Sequence, residues 1–258
     1  MLNFKSSSVV FFLTVILCGA LYYFFDVSLW WILVPALLFK AAIIYGSATI
    51  QSNFHIDALC SANTSKKEIA ITFDDGPNAT YTPQILKVLA DYNASATFFV
   101  IGKNIAGNEA LLQQIDAAGH IIGNHTFSHS FFIDFKNKKG FIEELNQTMA
   151  AVYKASGRQI RLFRPPYGVT TPNLAHAAKE LNYSVIGWNI RSLDTKADSE
   201  EQIAKRVISQ VKPGAVILFH DTSAKTVNVL KQTLNFAKEN GFKIVSVEQL
   251  LDVKGYEM

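Results

Sequence analysis

The sequence predicts an α/β domain, a parallel sheet with helices outside it, behind a pair of apolar N-terminal helices. Two observations carry that expectation. From Glu68 onward, short apolar runs alternate with amphipathic stretches about seven times, the rhythm of strand and helix repeats in a parallel sheet. The first 50 residues hold long uncharged runs instead. Closure of the sheet into a (β/α) barrel and an open doubly wound sheet both fit this pattern.

The N-terminal pair comes first. Residues 9–25 carry no charge, Asp26 intervenes, residues 29–39 are again apolar, and Lys40 interrupts a run that continues to Ile50. A helix crossing a bilayer core needs about 20 apolar residues, with a lower limit near 17. The first run meets that limit, and the second meets it if Lys40 snorkels or faces protein. Trp30 and Trp31 beside Asp26 suit the membrane interface. We expect a membrane anchor over 1–50, with spans at about 9–25 and 29–50. A cleaved signal peptide is the competing reading, but apolar character resumes after Asp26. Bulky Leu17 before Cys18 disfavours a lipoprotein site. Two spans return the chain to its starting side. Lys5, Lys40, Lys66 and Lys67 favour the cytoplasm for that side by a few charges. A soluble domain translocates largely regardless of them, and the expectation is a domain outside the cytoplasm.

Residues 51–67 are rich in Ser, Asn and Thr and read as a linker to a domain over 68–258. Strands are expected at 69–73, 96–101, 121–123, 162–163, 184–188, 215–219 and 243–247. Helices are expected at 83–92, 109–118, 141–155, 172–181, 200–211 and 224–240. Each helix carries apolar residues at three- and four-residue spacing, as in Ile85, Leu86 and Leu89. The chain has 258 residues and a net charge of +3, which fits one domain of roughly 200 residues plus an extra segment. Its lysines are scattered, so no nucleic-acid surface is indicated. Cys18 and Cys60 form neither a disulfide framework nor a metal-type cluster. Glycine-rich phosphate loops and fixed-period repeats are absent from the sequence. Nothing in it indicates an oligomeric state.

Chemistry concentrates at the ends of the expected strands, where α/β proteins build their sites. The run Ile69-Ala70-Ile71-Thr72-Phe73 delivers Asp74 and Asp75 into a Gly76-Pro77 turn. Adjacent like charges cost energy unless a cation or a proton separates their roles, although Asp-Gly-Pro is also ordinary turn chemistry. His125 and His129 stand at i and i+4, and on a helical turn they would share one face. With one carboxylate they would leave a divalent ion an open position. The zinc-protease pattern fails, because Thr126 stands where its Glu would. A carboxylate kept off the metal could then take a proton from water. Arg164-Pro165-Pro166-Tyr167-Gly168 is a stiff loop that could aim a backbone N–H at developing negative charge. His220 ends the run Val216-Ile217-Leu218-Phe219 and could protonate a leaving amine. Asp194 could orient its imidazole. His55 and His176 read as structural, and His120 has no assigned role.

In this order the elements resemble the polysaccharide deacetylases of the NodB-homology group, also called carbohydrate esterase family 4. Thr72 to Pro77 matches the first motif, and His125-Thr126-Phe127-Ser128-His129 matches the second, H-[ST]-x-x-H. Arg164 to Gly168 matches the third, Asp194 an Asp of the fourth, and Ile217 to His220 the fifth. The resemblance covers about 68–251. It implies a distorted (β/α) barrel of about seven repeats. It also implies that Asp75, His125 and His129 hold Zn²⁺ or another divalent ion such as Co²⁺ or Ni²⁺. Asp74 would be the general base, tethered by Arg164. The Tyr167 N–H would stabilise the oxyanion, and His220, paired with Asp194, would be the general acid. The fourth motif departs from D-x-x-D-W, since Arg191-Ser192-Leu193-Asp194-Thr195 lacks the first Asp and the Trp.

The resemblance implies a metal-dependent hydrolase that removes N-acetyl groups from a cell-envelope glycan, peptidoglycan or chitin-like, and releases acetate. An O-acetyl carbohydrate esterase would use the same apparatus. A non-catalytic, membrane-tethered glycan-binding homologue is the reading from another class.

Overall fold

The structure, a computed structural model, describes residues 3–257. Helix α1 (Phe4–Phe25) and helix α2 (Leu33–Ala48) form a hairpin joined through a 3-10 turn at Leu29–Ile32. α1 begins five residues before the expected span because Asn3 and Ser6 form a capping box, which satisfies the free N–H groups of the first turn. Its 22 residues reach about 33 Å, enough for a hydrocarbon core of about 30 Å. Ser7 is the only buried side chain on α1, and Val9, Phe12, Leu13, Ile16, Leu37 and Leu38 lie exposed. Both helical segments are long and apolar enough to cross a membrane. Phe11 stacks on Phe39 between them at 4.7 Å.

The stretch 51–67, expected as a linker, packs against the domain. Phe54 and Ala58 are buried, and Leu59 pairs with Ile186 while Ser61 pairs with Ala215. Its polar side chains satisfy local backbone instead: Asn53 accepts the Ala58 N–H, and Thr64 accepts the Lys66 N–H.

The domain then alternates as expected. Strand β1 (Glu68–Asp74) is followed by α3 (Thr82–Asp91), β2 (Ala96–Val100), α4 (Glu109–Ala117), β3 (Ile121–Asn124) and α5 (Lys138–Ser156). Next come β4 (Leu162–Phe163), α6 (Pro172–Glu180), β5 (Ser184–Val185), β6 (Ile190–Arg191) and α7 (Glu200–Ile208). β7 (Val216–His220), α8 (Ala224–Glu239), β8 (Lys243–Ile244) and α9 (Val247–Leu251) complete the chain. The ladders between these strands are all parallel. β2 is buried along its whole length, as in parallel sheets covered on both faces.

The strand order is β5-β4-β3-β2-β1-β7-β6, with β8 paired to the start of β1. β5 and β6 therefore sit at opposite ends of the path, yet only residues 186–189 separate them. Seven flat strands would put those ends roughly 29 Å apart. Five residue steps reach at most about 18 Å. The sheet must curl, and it forms a parallel half-barrel with helices outside. The expected strand 184–188 thus stops at Val185, where the chain leaves the sheet to cross the opening, and β6 beyond it was not expected. Leu59 and Ser61 fill that opening by pairing beside β5 and β7. The expected strand 243–247 is likewise shorter, because Ser246 caps α9.

Candidate active site

Strand register brings the chemistry to one rim. Asp74, the last residue of β1, is the register partner of His220, the last residue of β7. His125 follows the end of β3 and Arg164 the end of β4, with Asp194 three residues past β6. All five lie at the carboxyl ends of parallel strands.

Asp75, His125 and His129 converge. Asp75 Oδ1 lies 3.5 Å from His125 Nε2 and 3.3 Å from His129 Nε2, and the three donor atoms all lie within 4.8 Å of one another. Bonds of about 2.0–2.1 Å to a tetrahedral ion put neighbouring ligand atoms about 3.3 Å apart, so this donor set fits a divalent metal. His125 Nδ1 lies 2.8 Å from the Arg164 carbonyl oxygen. Donation to that carbonyl leaves Nε2 free as a ligand. Burial pushes His125 down to about 3, which keeps the ring neutral as ligation requires.

The histidine pair does not sit on a helical turn. The segment is a loop in which Thr126 (φ 64°) and His129 (φ 46°) adopt the left-handed region. Glu144 of α5 clamps it. Its Oε2 accepts the Phe127 and Ser128 N–H groups at 3.0 and 2.7 Å, and its Oε1 accepts the Ser128 hydroxyl at 2.8 Å. Lys136 completes the cluster at 3.1 Å. Burial works against the Glu144 carboxylate, but these donors outweigh it and hold its pKa low. The sequence carries a signal for this residue that the motif reading passed over. Glu144 falls on the apolar face of α5, three residues after Phe141 and four before Thr148, where a charge needs a partner.

Left-handed backbone marks the site more widely. Apart from Asn and Asp, the non-glycine residues with positive φ among those described are Thr126, His129, Tyr167 and Leu193. All four lie in the loops of this rim, and Asp75 (φ 78°) joins them. Such conformations cost about 1–3 kcal/mol each and gather where a site imposes them.

Asp74 is separated from its neighbour by its partner. Arg164, fully buried, donates from Nη1 to Asp74 Oδ1 at 2.8 Å and to the Thr72 hydroxyl at 2.7 Å. Its Nε and Nη2 donate to the carbonyls of Ile186 and Gly187, just past the end of neighbouring β5, and its guanidinium lies 4.2 Å from the Phe99 ring centroid. Asp74 Oδ2 faces the metal-type cluster, 3.8 Å from His125 Nε2. Burial raises the Asp74 carboxyl, and the Arg164 charge opposes that rise.

His220 faces the same space. Its Nδ1 lies 2.8 Å from Asp194 Oδ1, and its backbone N–H donates to Asp194 Oδ2 at 2.8 Å. The hydroxyls of Thr226 and Ser192 also donate to Asp194. Burial opposes charge on His220, but the Asp194 carboxylate outweighs it and raises the imidazole above its ordinary value. Asp194 itself, despite burial, is held low by His220 and Thr226. The structure therefore joins Asp194 to His220 although the fourth motif is altered around it. Tyr167 (φ 58°, ψ −4°) sits in the stiff loop after β4, with its ring 4.7 Å from that of His129. Of the remaining histidines, His55 meets Ser47 at 3.0 Å. His120 is buried and accepts the Ala96 N–H at its Nδ1, and both contacts are structural.

An arginine-held carboxylate, a carboxylate-held histidine and a metal-type triad on one rim of a parallel half-barrel define a hydrolytic α/β site. Its family is also visible in known proteins. The sequence model described as "Polysaccharide deacetylase" matches residues 61–186. A peptidoglycan-N-acetylglucosamine deacetylase of Bacillus cereus is 35% identical over 195 residues, covering 74% of this chain and 91% of that protein. A peptidoglycan-N-acetylmuramic acid deacetylase of Bacillus subtilis is 32% identical, covering 76% of this chain and 75% of its own. A crystal structure of a peptidoglycan N-acetylglucosamine deacetylase in complex with an N-hydroxybenzamide compound superposes with a TM-score of 0.74 at 30% identity. It covers 78% of this chain and 95% of that one. The chain belongs to the polysaccharide deacetylase family, and it is an enzyme of that class.

Proposed function

We propose that the chain is a membrane-anchored, metal-dependent N-deacetylase of peptidoglycan, acting on its N-acetylated sugars and releasing acetate. The observation that carries this reading is the Asp75–His125–His129 triad set beside Asp74, whose free oxygen faces it at 3.8 Å. A divalent ion held by the triad, zinc or another such as cobalt or nickel, would supply electrostatic stabilisation to a nucleophilic water and to the acetyl carbonyl.

The protein's own residues supply the rest. Asp74 Oδ2 takes a proton from the attacking water, while Arg164 holds Oδ1 and keeps the carboxylate oriented. The Tyr167 backbone N–H donates to the oxyanion that forms when water adds to the acetamide carbon. His220, charged and held by Asp194, gives a proton to the sugar nitrogen as the C–N bond breaks. Acetate and a free amine leave. The helices α1 and α2 would keep this chemistry at the envelope, with the domain outside the cytoplasm. Peptidoglycan is favoured over chitin-like material because the two Bacillus relatives, matched over 91% and 75% of their own length, are named for it.

An acetate-release panel tests the proposal, using peptidoglycan, N-acetylglucosamine oligosaccharides and acetylated xylan, with metal analysis of the same protein. Release from peptidoglycan, lost with a chelator and restored by metal, is expected. Release from xylan alone would make the protein an O-acetyl esterase. Undiminished turnover in Asp74→Asn protein would sink the mechanism. A glycan-binding protein without turnover would require the site to be decayed, whereas Asp74, Asp75, His125, His129 and His220 are all present.

A further inference from the structure

Beside the rim, residues 131–135 carry three exposed phenylalanines. Phe131 is 78% exposed, Phe132 68% and Phe135 85%. Their rings touch one another, at 5.3 Å between Phe131 and Phe132 and 6.4 Å between Phe132 and Phe135. Ile133, between them, points inward and is fully buried, so the loop is anchored beneath while its aromatic face stays bare. Water-exposed aromatic clusters of this kind mark contact surfaces.

The fold says what covers it. The Ser47 carbonyl, one residue from the end of α2, accepts the Thr170 N–H at 2.9 Å. Three residues on, Asn173 at the start of α6 donates to the Lys136 carbonyl at 3.3 Å. The loop thus lies within about 25 Å of chain and hydrogen bonds from the end of the helical pair. The start of α1 is docked at the same place, with the Phe4 N–H on the Phe54 carbonyl. There is no slack between the helices and the domain. A bilayer crossed by α1 and α2 would have its near surface beside α6 and the 131–135 loop. Lys103, Lys136, Lys138 and Lys139 surround the loop, against Asp134, Glu144 and Glu180. Lysines around exposed aromatic rings suit an anionic lipid interface.

We propose that Phe131, Phe132 and Phe135 form a second membrane contact, which lays the mouth of the active site against the bilayer that the helical pair enters. The proposal rests on the membrane-anchor reading. His129 and Tyr167 open beside this loop, so the glycan reached first is membrane-proximal, either newly made strand or lipid-linked sugar.

The test uses the full chain with C18A and C60S, reconstituted in vesicles containing anionic phospholipid. An environment-sensitive fluorophore is placed at F132C, and at K87C on the exposed face of α3 as a control. Position 132 is expected to shift to the blue, resist iodide and be quenched by lipids spin-labelled near the headgroup, while position 87 does none of these. The triple variant F131S/F132S/F135S is expected to lose about tenfold or more in activity on vesicle-embedded N-acetylated sugar. Its activity on soluble oligosaccharide should be unchanged. A position 132 as open to iodide as position 87, in protein that resists alkaline extraction, overturns the second contact and leaves the anchor standing. Release of the chain by alkaline extraction overturns the anchor itself. Shielding that disappears as protein is diluted in lipid assigns the patch to a second copy instead.

Discussion

Replacing Asp194 with Asn isolates the altered fourth motif. The carboxylate accepts from the His220 N–H at 2.8 Å, from Thr226 at 2.7 Å and from Ser192 at 2.9 Å, and it faces His220 Nδ1 at 2.8 Å. An amide of the same shape has one acceptor oxygen, which can keep the backbone and Thr226 contacts. Its NH₂ then meets the imidazole and disfavours a proton on Nδ1. The loss is one charge-assisted hydrogen bond, about 1.5–3 kcal/mol. At 1.36 kcal/mol per unit, the His220 pKa falls by roughly one to two units. Less of the general acid is then protonated at neutral pH, and kcat/KM at pH 7 is expected to fall by up to about 100-fold. The assay is a pH–rate profile of acetate release. The basic limb of the wild-type profile is expected above 6.5, in line with the raised imidazole, and the variant's limb should move to lower pH. A limb that stays in place would refute the reasoning.

Stability gives a second readout of the same pair. Asp194, held below its ordinary 3.8, contributes above that value and loses its contribution as pH falls through its folded pKa. His220, raised above 6.5, contributes below that value and loses its contribution as pH rises through its folded pKa. The variant's deficit in Tm should therefore be largest between about pH 4 and 6.5 and narrow above that window.

Four further outcomes are expected. His125→Ala should lose the bound metal, read by elemental analysis, and its activity with it. Asp74→Asn should keep the metal and lose about 10²- to 10⁴-fold in kcat, which separates base from ligand. Glu144→Ala should unclamp the 125–129 loop, weakening metal retention about 10- to 100-fold in a competition assay and costing about 1–3 kcal/mol in denaturant unfolding. Gly168→Ala should cost about 1–3 kcal/mol in Tm-derived stability, because its Cβ would lie 2.4 Å from Trp188 Cη2 on a backbone at φ +73°.

Much of the fold was legible because its strands are short apolar runs and its helices keep their period. Strands at 69–73, 121–123, 162–163 and 215–219 stand where periodicity put them, within a residue or two. The run 184–188 misled for a physical reason. Ser184 to Trp188 is apolar throughout its centre, and composition does not say that the strand stops at Val185 so that the rest of the run can cross the opening of a curled sheet to β6. The linker misled similarly, since polar residues that satisfy their own backbone look the same as polar residues in water.

The sequence by itself determined the chemical inventory. Strand-end carboxylates, a spaced histidine pair and the stiff Arg164–Gly168 loop were readable because spacing along one chain is local information. Tertiary structure alone decided how those groups pair. Asp74 is divided from Asp75 by Arg164, which arrives from 90 residues away and reaches across the barrel. Asp194 finds His220 because the ladder between β6 and β7 brings their loops together. The clamp of Glu144 on the histidine loop depends on how α5 packs. Each of these contacts joins different elements, from 16 to 90 positions apart, and is set by sheet curvature, register and helix packing rather than by spacing along the chain.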